Sequence, residues 1–228
     1  MKKLGFLLGL GALVATAFVI TPALAGSRTA AANGPAAASG GATVCNGTLD
    51  PGTYQRVVVP QDGVCMSEGP VTIRGGLFVQ QGGTLVLGSE DNPVHTATIT
   101  GGVHATNAMS VQIHFSTING GIDIHGGSGP FGGPFDVTWN TIEDSTINGG
   151  YNESGYDGFW NGFFRNNVHG SVNLYNNVVM DPDGNEVQTN TIHGNLNCFG
   201  NDPAPQSGDS GGEPNHVTGR ETGQCVGL

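Results

Sequence analysis

TIRGGLFV at 72–79, TITGGVHA at 98–105, TINGGIDI at 117–124, TINGGYNE at 146–153, NVHGSVNL at 167–174 and TIHGNLNC at 191–198 are six versions of one octapeptide. Each reads Thr or Asn, Ile or Val, any residue, Gly, a small residue, an apolar or aromatic residue, any residue, and usually an apolar one. The second-position anchors Ile73, Ile99, Ile118, Ile147, Val168 and Ile192 follow one another at 26, 19, 29, 21 and 24 residues. These are the periods of a solenoid. Between the octapeptides lie short β-rich runs, Val57–Val59, Thr84–Leu87, Val111–Phe115 and Val137–Trp139, bounded by Gly, Asn, Asp or Pro, and no stretch carries the helical period. Glycines permit backbone bends closed to other residues, while the apolar positions beside them turn inward and stack. The pattern predicts an all-β solenoid of about six or seven coils over residues 44–228. An antiparallel sandwich would give regular turn signals, but it would not need the same octapeptide at coil-length intervals.

The repeat resembles that of right-handed parallel β-helix proteins, the pectate-lyase-like superfamily. It is most similar to small secreted bacterial members with a Cys near each end, through the closing segment Gly194-Asn195-Leu196-Asn197-Cys198, Asn201-Asp202-Pro203-Ala204-Pro205, Asn215-His216-Val217-Thr218-Gly219 and Gly223-Gln224-Cys225. The resemblance covers residues 44–228 and implies a single-stranded right-handed parallel β-helix. For activity it implies little. The superfamily's lyases use calcium-binding carboxylates with an Arg or Lys base, and its polygalacturonases use three Asp with a His-Gly and an Arg-x-Lys. This chain has no Asp-Asp pair and no Arg-x-Lys, and both its lysines are at Lys2 and Lys3; Arg165 and Arg74 are the only arginines well inside the coils.

The 228 residues include 40 Gly without a strict three-residue period, 37% hydrophobic residues and 11% charged ones, which excludes collagen and argues against a disordered tail. Residues 1–25 carry Lys2-Lys3, an apolar run from Leu4 to Ile20 and the ending Ala23-Leu24-Ala25, the three-part pattern of a secretory signal peptide. Residues 26–43 are an Ala/Gly-rich flexible spacer. Loss of the two lysines takes the net charge from −11 to −13, so neither nucleic acid nor, after cleavage, a membrane is an expected partner. The expected location is extracellular and the expected state a monomer. Four Cys in an exported chain allow three pairings. With two near each end, the local pairs Cys45–Cys65 and Cys198–Cys225 are predicted, closing loops where the solenoid ends need covering.

If the octapeptides stack in register, equivalent residues form columns with rungs about 4.8 Å apart. One column is Arg74, Thr100, Asn119, Asn148, His169 and His193; a second is Phe78, His104, Asp123, Asn152, Asn173 and Asn197; a third is Gln80, Thr106, His125, Ser154, Tyr175 and Phe199. Asn columns of this kind bond amide to amide along the stack. His104, Asp123 and His125 would meet on one face, where they could do acid–base work or hold an ion, and His169 and His193 could bind a transition metal weakly. The stretch from Ser154 to Phe164 concentrates Tyr156, Phe159, Trp160, Phe163 and Phe164 among glycines, either as rings displayed to stack on sugars or as cover for the flank. Trp160, Tyr156 and Phe159, with their neighbours Asn148 and Asn152, form the expected ligand-binding set.

Two strings promise more than they carry. Gly208-Asp209-Ser210-Gly211-Gly212 matches the surroundings of a serine-protease nucleophile but lacks the His and Asp a triad needs. Asp181-Pro182-Asp183-Gly184-Asn185-Glu186 resembles part of a calcium loop, which makes Asp181, Asp183 and Glu186 the weak metal candidates; no other cofactor is expected. The resulting expectation is a secreted binding or structural module acting on polysaccharide or the cell envelope, with no catalytic motif. The alternative is a small polysaccharide lyase or glycoside hydrolase, with Asp123, His125, His104 and Asp144 first among catalytic candidates and Asp136, Glu143, Glu153 and Asp157 as further carboxylates. Crystal-surface binding ranks last, because only Thr96–Thr100 places T-x-T units within one coil.

Overall fold

A computed structural model describes residues 41–67, 69–89, 92–128 and 138–228. The segment expected to be a signal peptide, all but the last three residues of the expected spacer, and Asp136 lie outside these. The described chain is all-β: parallel strands stack into a solenoid of about seven turns. Three sheets form its walls. Sheet A has nine strands, Thr43–Val44, Val57–Val59, Leu77–Val79, Val103–Thr106, Ile122–His125, Tyr151–Ser154, Val172–Tyr175, Leu196–Phe199 and Glu221–Gly223. Sheet B has seven, Gly47–Leu49, Val64–Ser67, Thr84–Leu87, Ser110–His114, Trp139–Glu143, Trp160–Phe164 and Glu186–Gln188. Sheet C has eight, running from Gly52–Tyr54 to His216–Val217.

Each octapeptide is a sheet C strand, a bend and a sheet A strand: Val71–Ile73, Arg74–Gly76 and Leu77–Val79 in the first case. The anchors therefore stack in one inward column, Tyr54, Ile73, Ile99, Ile118, Ile147, Val168, Ile192 and Val217. Glycine at the bend follows from how closely the coils approach. A Cβ on Gly101 would fall 2.6 Å from the carbonyl carbon of Gly75, and one on Gly120 would fall 2.6 Å from the nitrogen of Gly102. No side chain fits where backbone stacks on backbone at that distance.

The other corners rely on polar side chains. Asn166 accepts the Ser145 amide at 3.1 Å, Asn190 accepts Asn166 at 2.9 Å and Asn215 accepts Asn190 at 3.1 Å, so a buried Asn ladder supplies the partners that a bent backbone loses. Asn177 and Asn201 repeat the device where the chain leaves sheet A. Both predicted disulfides form, Cys45–Cys65 and Cys198–Cys225. They are buried at the two ends of the apolar core.

One inward column breaks the pattern. Val59, Val79, Ala105, Ile124, Glu153, Leu174 and Cys198 share a position in sheet A, and the fifth is a carboxylate with 1% of its surface exposed. Glu153 therefore faces the interior and is removed from the carboxylates that could serve a surface site.

Candidate functional site

The sheet A columns stand in the predicted register. Asp123 accepts the Asn152 amide at 2.7 Å, Asn152 accepts Asn173, Asn173 accepts Asn197 at 2.8 Å, and Asn197 accepts the Thr222 hydroxyl at 2.6 Å. All bonds in this ladder run the same way, toward Asp123. His104 Nδ1 lies 3.4 Å from Asp123, and the His104 ring stacks on Phe78 with 5.2 Å between centroids. His125 turns instead to Ser154, at 2.9 Å. The three residues share a face, with His104 set against Asp123 and His125 paired with Ser154 on the next rung. Asn148 donates to Asn119 at 2.7 Å, and His169 and His193 stack at 4.9 Å between centroids. Among the described residues no group of three or more His, Cys, Asp or Glu is placed to hold a metal.

Sheet C presents a further outward column that the sequence reading did not single out: Thr53, Thr72, Thr98, Thr117, Thr146, Asn167 and Thr191, all half-buried or exposed. Thr units counted within a coil miss it, because it runs from coil to coil.

One of the concave sites lies on the outer side of sheet B. Glu143, Asp144, Trp160, Phe164, Arg165 and Ser210 line a groove of about 290 Å³. Its floor follows from one glycine. Trp160, Gly162 and Phe164 point outward from the same strand, and a Cβ on Gly162 would collide with Cη2 of Trp160 and Cε2 of Phe164. The two rings therefore lie over Gly162 with 5.4 Å between centroids, and the half-buried Trp160 keeps part of its ring accessible.

A charged cluster forms one lip. His114 donates from Nδ1 to Glu143 Oε1 at 2.6 Å, since a carboxylate can only accept. Arg165 Nη2 donates to Glu143 Oε2 at 2.6 Å, and Arg165 grips Asp144 through Nε and Nη2, both at 2.7 Å. His114 and Glu143 are buried, whereas Arg165 is half exposed. The Asp144 hydrogen bonds, ahead of the opposing effect of burial, push the guanidinium pKa further up, so its charge is permanent. Phe115, Asp144, Arg165 and Thr189 follow sheet B in successive coils with φ of 45°, 50°, 52° and 59°. Left-handed backbone is costly for bulky and β-branched side chains. Here it turns Asp144 and Arg165 toward the groove.

Ser210 lines the other lip, backed by the buried Glu186. Glu186 accepts the Trp160 indole at 3.2 Å and the Gln188 amide at 3.2 Å, and it bonds to Ser210. Burial raises its pKa above the usual carboxylate range, these hydrogen bonds lower it, and the nearby charges of Asp209 and Asp181 raise it again. The Gly208–Gly212 string thus packs on sheet B: the Gly212 amide donates to Gln188 at 2.8 Å, and a Cβ on Gly208 would strike Glu186.

Asp144 was expected among catalytic candidates, Trp160 among ligand-binding residues and Glu186 among metal ligands, but nothing in the sequence brought them together. The sequence reading missed His114 and Arg165 as the central cation, while Phe164 was named only as one of five rings of open role. The one available signal was that a chain so poor in basic residues keeps an arginine between coils. Tyr156 requires a correction. It is fully buried, its amide donates to Asn177 at 3.1 Å, and its ring is wall rather than a displayed surface. Phe159 is half-buried, and Phe163 stacks on Tyr151 inside the core at 4.5 Å. Asp181 bonds the Asp183 amide at 3.0 Å in a tight turn, and Asp157 is exposed.

Fold and site together define a disulfide-closed parallel β-solenoid with an aromatic-floored groove on one wall. Comparison with protein-family models, curated proteins and solved structures returned no match.

Proposed function

We propose that this solenoid is a secreted binding module that holds a polysaccharide or cell-envelope glycan in the sheet B groove. The observation that carries the reading is the pair of rings laid over Gly162, an apolar platform beside the polar groups of Asp144 and Arg165. Sugars are recognised by such a combination, stacking on one ring face while fixed polar groups meet the hydroxyls. Two disulfides suit an oxidising compartment outside the cytosol, in keeping with a cleaved leader at residues 1–25.

The test is co-sedimentation of the purified protein with insoluble neutral, aminated and uronic-acid polysaccharides, with released oligosaccharide assayed in the same tubes. Binding without product is expected. Trp160→Ala should weaken it by tenfold or more, about 1.4 kcal/mol or above, with the unfolding midpoint little changed. Unchanged binding in that variant would remove the groove as the site, and no binding to any polymer would remove the reading. Catalytic product that vanishes in Asp144→Asn would make the groove the active site of a glycoside hydrolase or lyase instead.

A second reading, attachment to a crystal surface such as ice, is favoured by the sheet C threonine column. Its hydroxyls repeat at the strand spacing of about 4.8 Å with one Asn interruption. Introducing Glu at both Thr117 and Thr146 should then abolish inhibition of ice recrystallisation while leaving polysaccharide binding intact. A wild-type protein without effect on ice growth would end this reading.

A further inference from the structure

The charges around the groove say which glycan it takes, granted that the groove is a glycan site. Its only cation on the described surface, Arg165, is enclosed by Asp144 at two 2.7 Å contacts and Glu143 at one of 2.6 Å, so none of its charge is left unbalanced for a sugar carboxylate. His114 spends its Nδ1 hydrogen on the same Glu143. On the opposite lip, Asp209 precedes Ser210 of the lining, and Asp181 lies beside Trp160, its amide donating to the Phe159 carbonyl at 3.0 Å; among the described residues no arginine or lysine forms an ion pair with either. Between the lips lies the Trp160 ring, whose face attracts cations in its own right. Anions are repelled from both sides, whereas a cation held over the indole meets favourable field from all of them. The carboxylates do not converge on one point as metal ligands would. They suit a charge carried on a larger body.

We infer that the groove selects aminated sugars, units bearing a primary ammonium group, over their N-acetylated and uronic-acid counterparts. The ring of such a sugar rests on Trp160, and its ammonium group lies toward Asp209 and Asp181.

The probes are soluble polyglucosamine, poly-N-acetylglucosamine oligomers and polygalacturonate, titrated into the purified protein at low and high salt. Polyglucosamine should bind most tightly, with affinity falling as salt rises; the acetylated form should bind more weakly and with little salt dependence, and polygalacturonate should not bind. Asp181→Asn with Asp209→Asn should weaken polyglucosamine binding by about tenfold, roughly threefold for each exposed charge, and leave the acetylated form unaffected. Because the whole chain is acidic, Asp50→Asn with Asp62→Asn serves as the control, removing the same charge at the far end of the solenoid. An equal loss in that control would show the attraction to be net charge alone and overturn the inference. Equal, salt-insensitive binding of the aminated and acetylated forms would overturn it too, while leaving the groove a glycan site. Failure of every sugar polymer to bind would instead strike the underlying reading.

Discussion

Replacing Glu143 by alanine is expected to destabilise the solenoid by about 3–5 kcal/mol, the usual cost of removing one partner from a buried ionic cluster. Glu143 is 3% exposed and joins His114 on one rung to Arg165 on another. Its removal strands the His114 N–H inside the wall and frees one arm of Arg165. By contrast, Asp144→Ala should cost under about 1 kcal/mol: it breaks two hydrogen bonds to the same guanidinium, but in a half-exposed setting where water takes over. The comparison separates burial from bond count, since the smaller loss belongs to the residue with more contacts to Arg165. Urea unfolding gives the measurement, with the midpoint read at unchanged slope. If Glu143→Ala cost no more than Asp144→Ala, the cluster would be an ordinary surface ion pair and the groove would lose its rigid lip.

The cluster also shows what the sequence concealed. The octapeptide contains a sheet C strand, a bend and a sheet A strand, so reading it set the register of two walls at once. The columns through His104, Asp123 and Asn152, and through Asn119 and Asn148, stand as expected. Sheet B has no such signature. Its inward column passes from Leu85 and Val111 to Asn140, Asn161 and Asn185, and its outward one from Val86 to Gln112, Thr141, Gly162 and Glu186, so neither hydrophobicity nor composition repeats. Glu143 and Arg165 meet because the sheet B register sets Glu143 beside Phe164, the residue before Arg165. Sheet A and sheet C were legible because the coils share a bend that demands glycine. The groove was not, since each of its residues occurs once.

The interior change in sheet B explains the second large effect. Asn140 and Asn161 are buried at positions where earlier coils carry Leu and Val, and both donate to Glu153, at 2.7 Å each. Tyr151 adds a third donor at 2.9 Å. Burial pushes the Glu153 carboxyl up, and these three hydrogen bonds pull it back without cancelling the shift. The sign of the pH dependence follows. A carboxyl that holds its proton more tightly in the folded state than in the unfolded one contributes stability that is fully present below the unfolded pKa, about 4.3, and is lost as pH rises through the folded value. Wild-type protein should therefore lose stability between about pH 4 and neutrality relative to Glu153→Gln, which stays neutral throughout. The gap should be about 1.4 kcal/mol for each pH unit by which the folded pKa exceeds the unfolded one. Glu153→Ala should be worse at every pH, by about 3 kcal/mol or more, because it opens a cavity and orphans Asn140, Asn161 and Tyr151 together. Unfolding midpoints of the three proteins, measured at pH 4, 5.5 and 7, decide the matter. Parallel curves for wild type and Glu153→Gln would mean that the three donors fully offset burial and that Glu153 enters the fold as an anion.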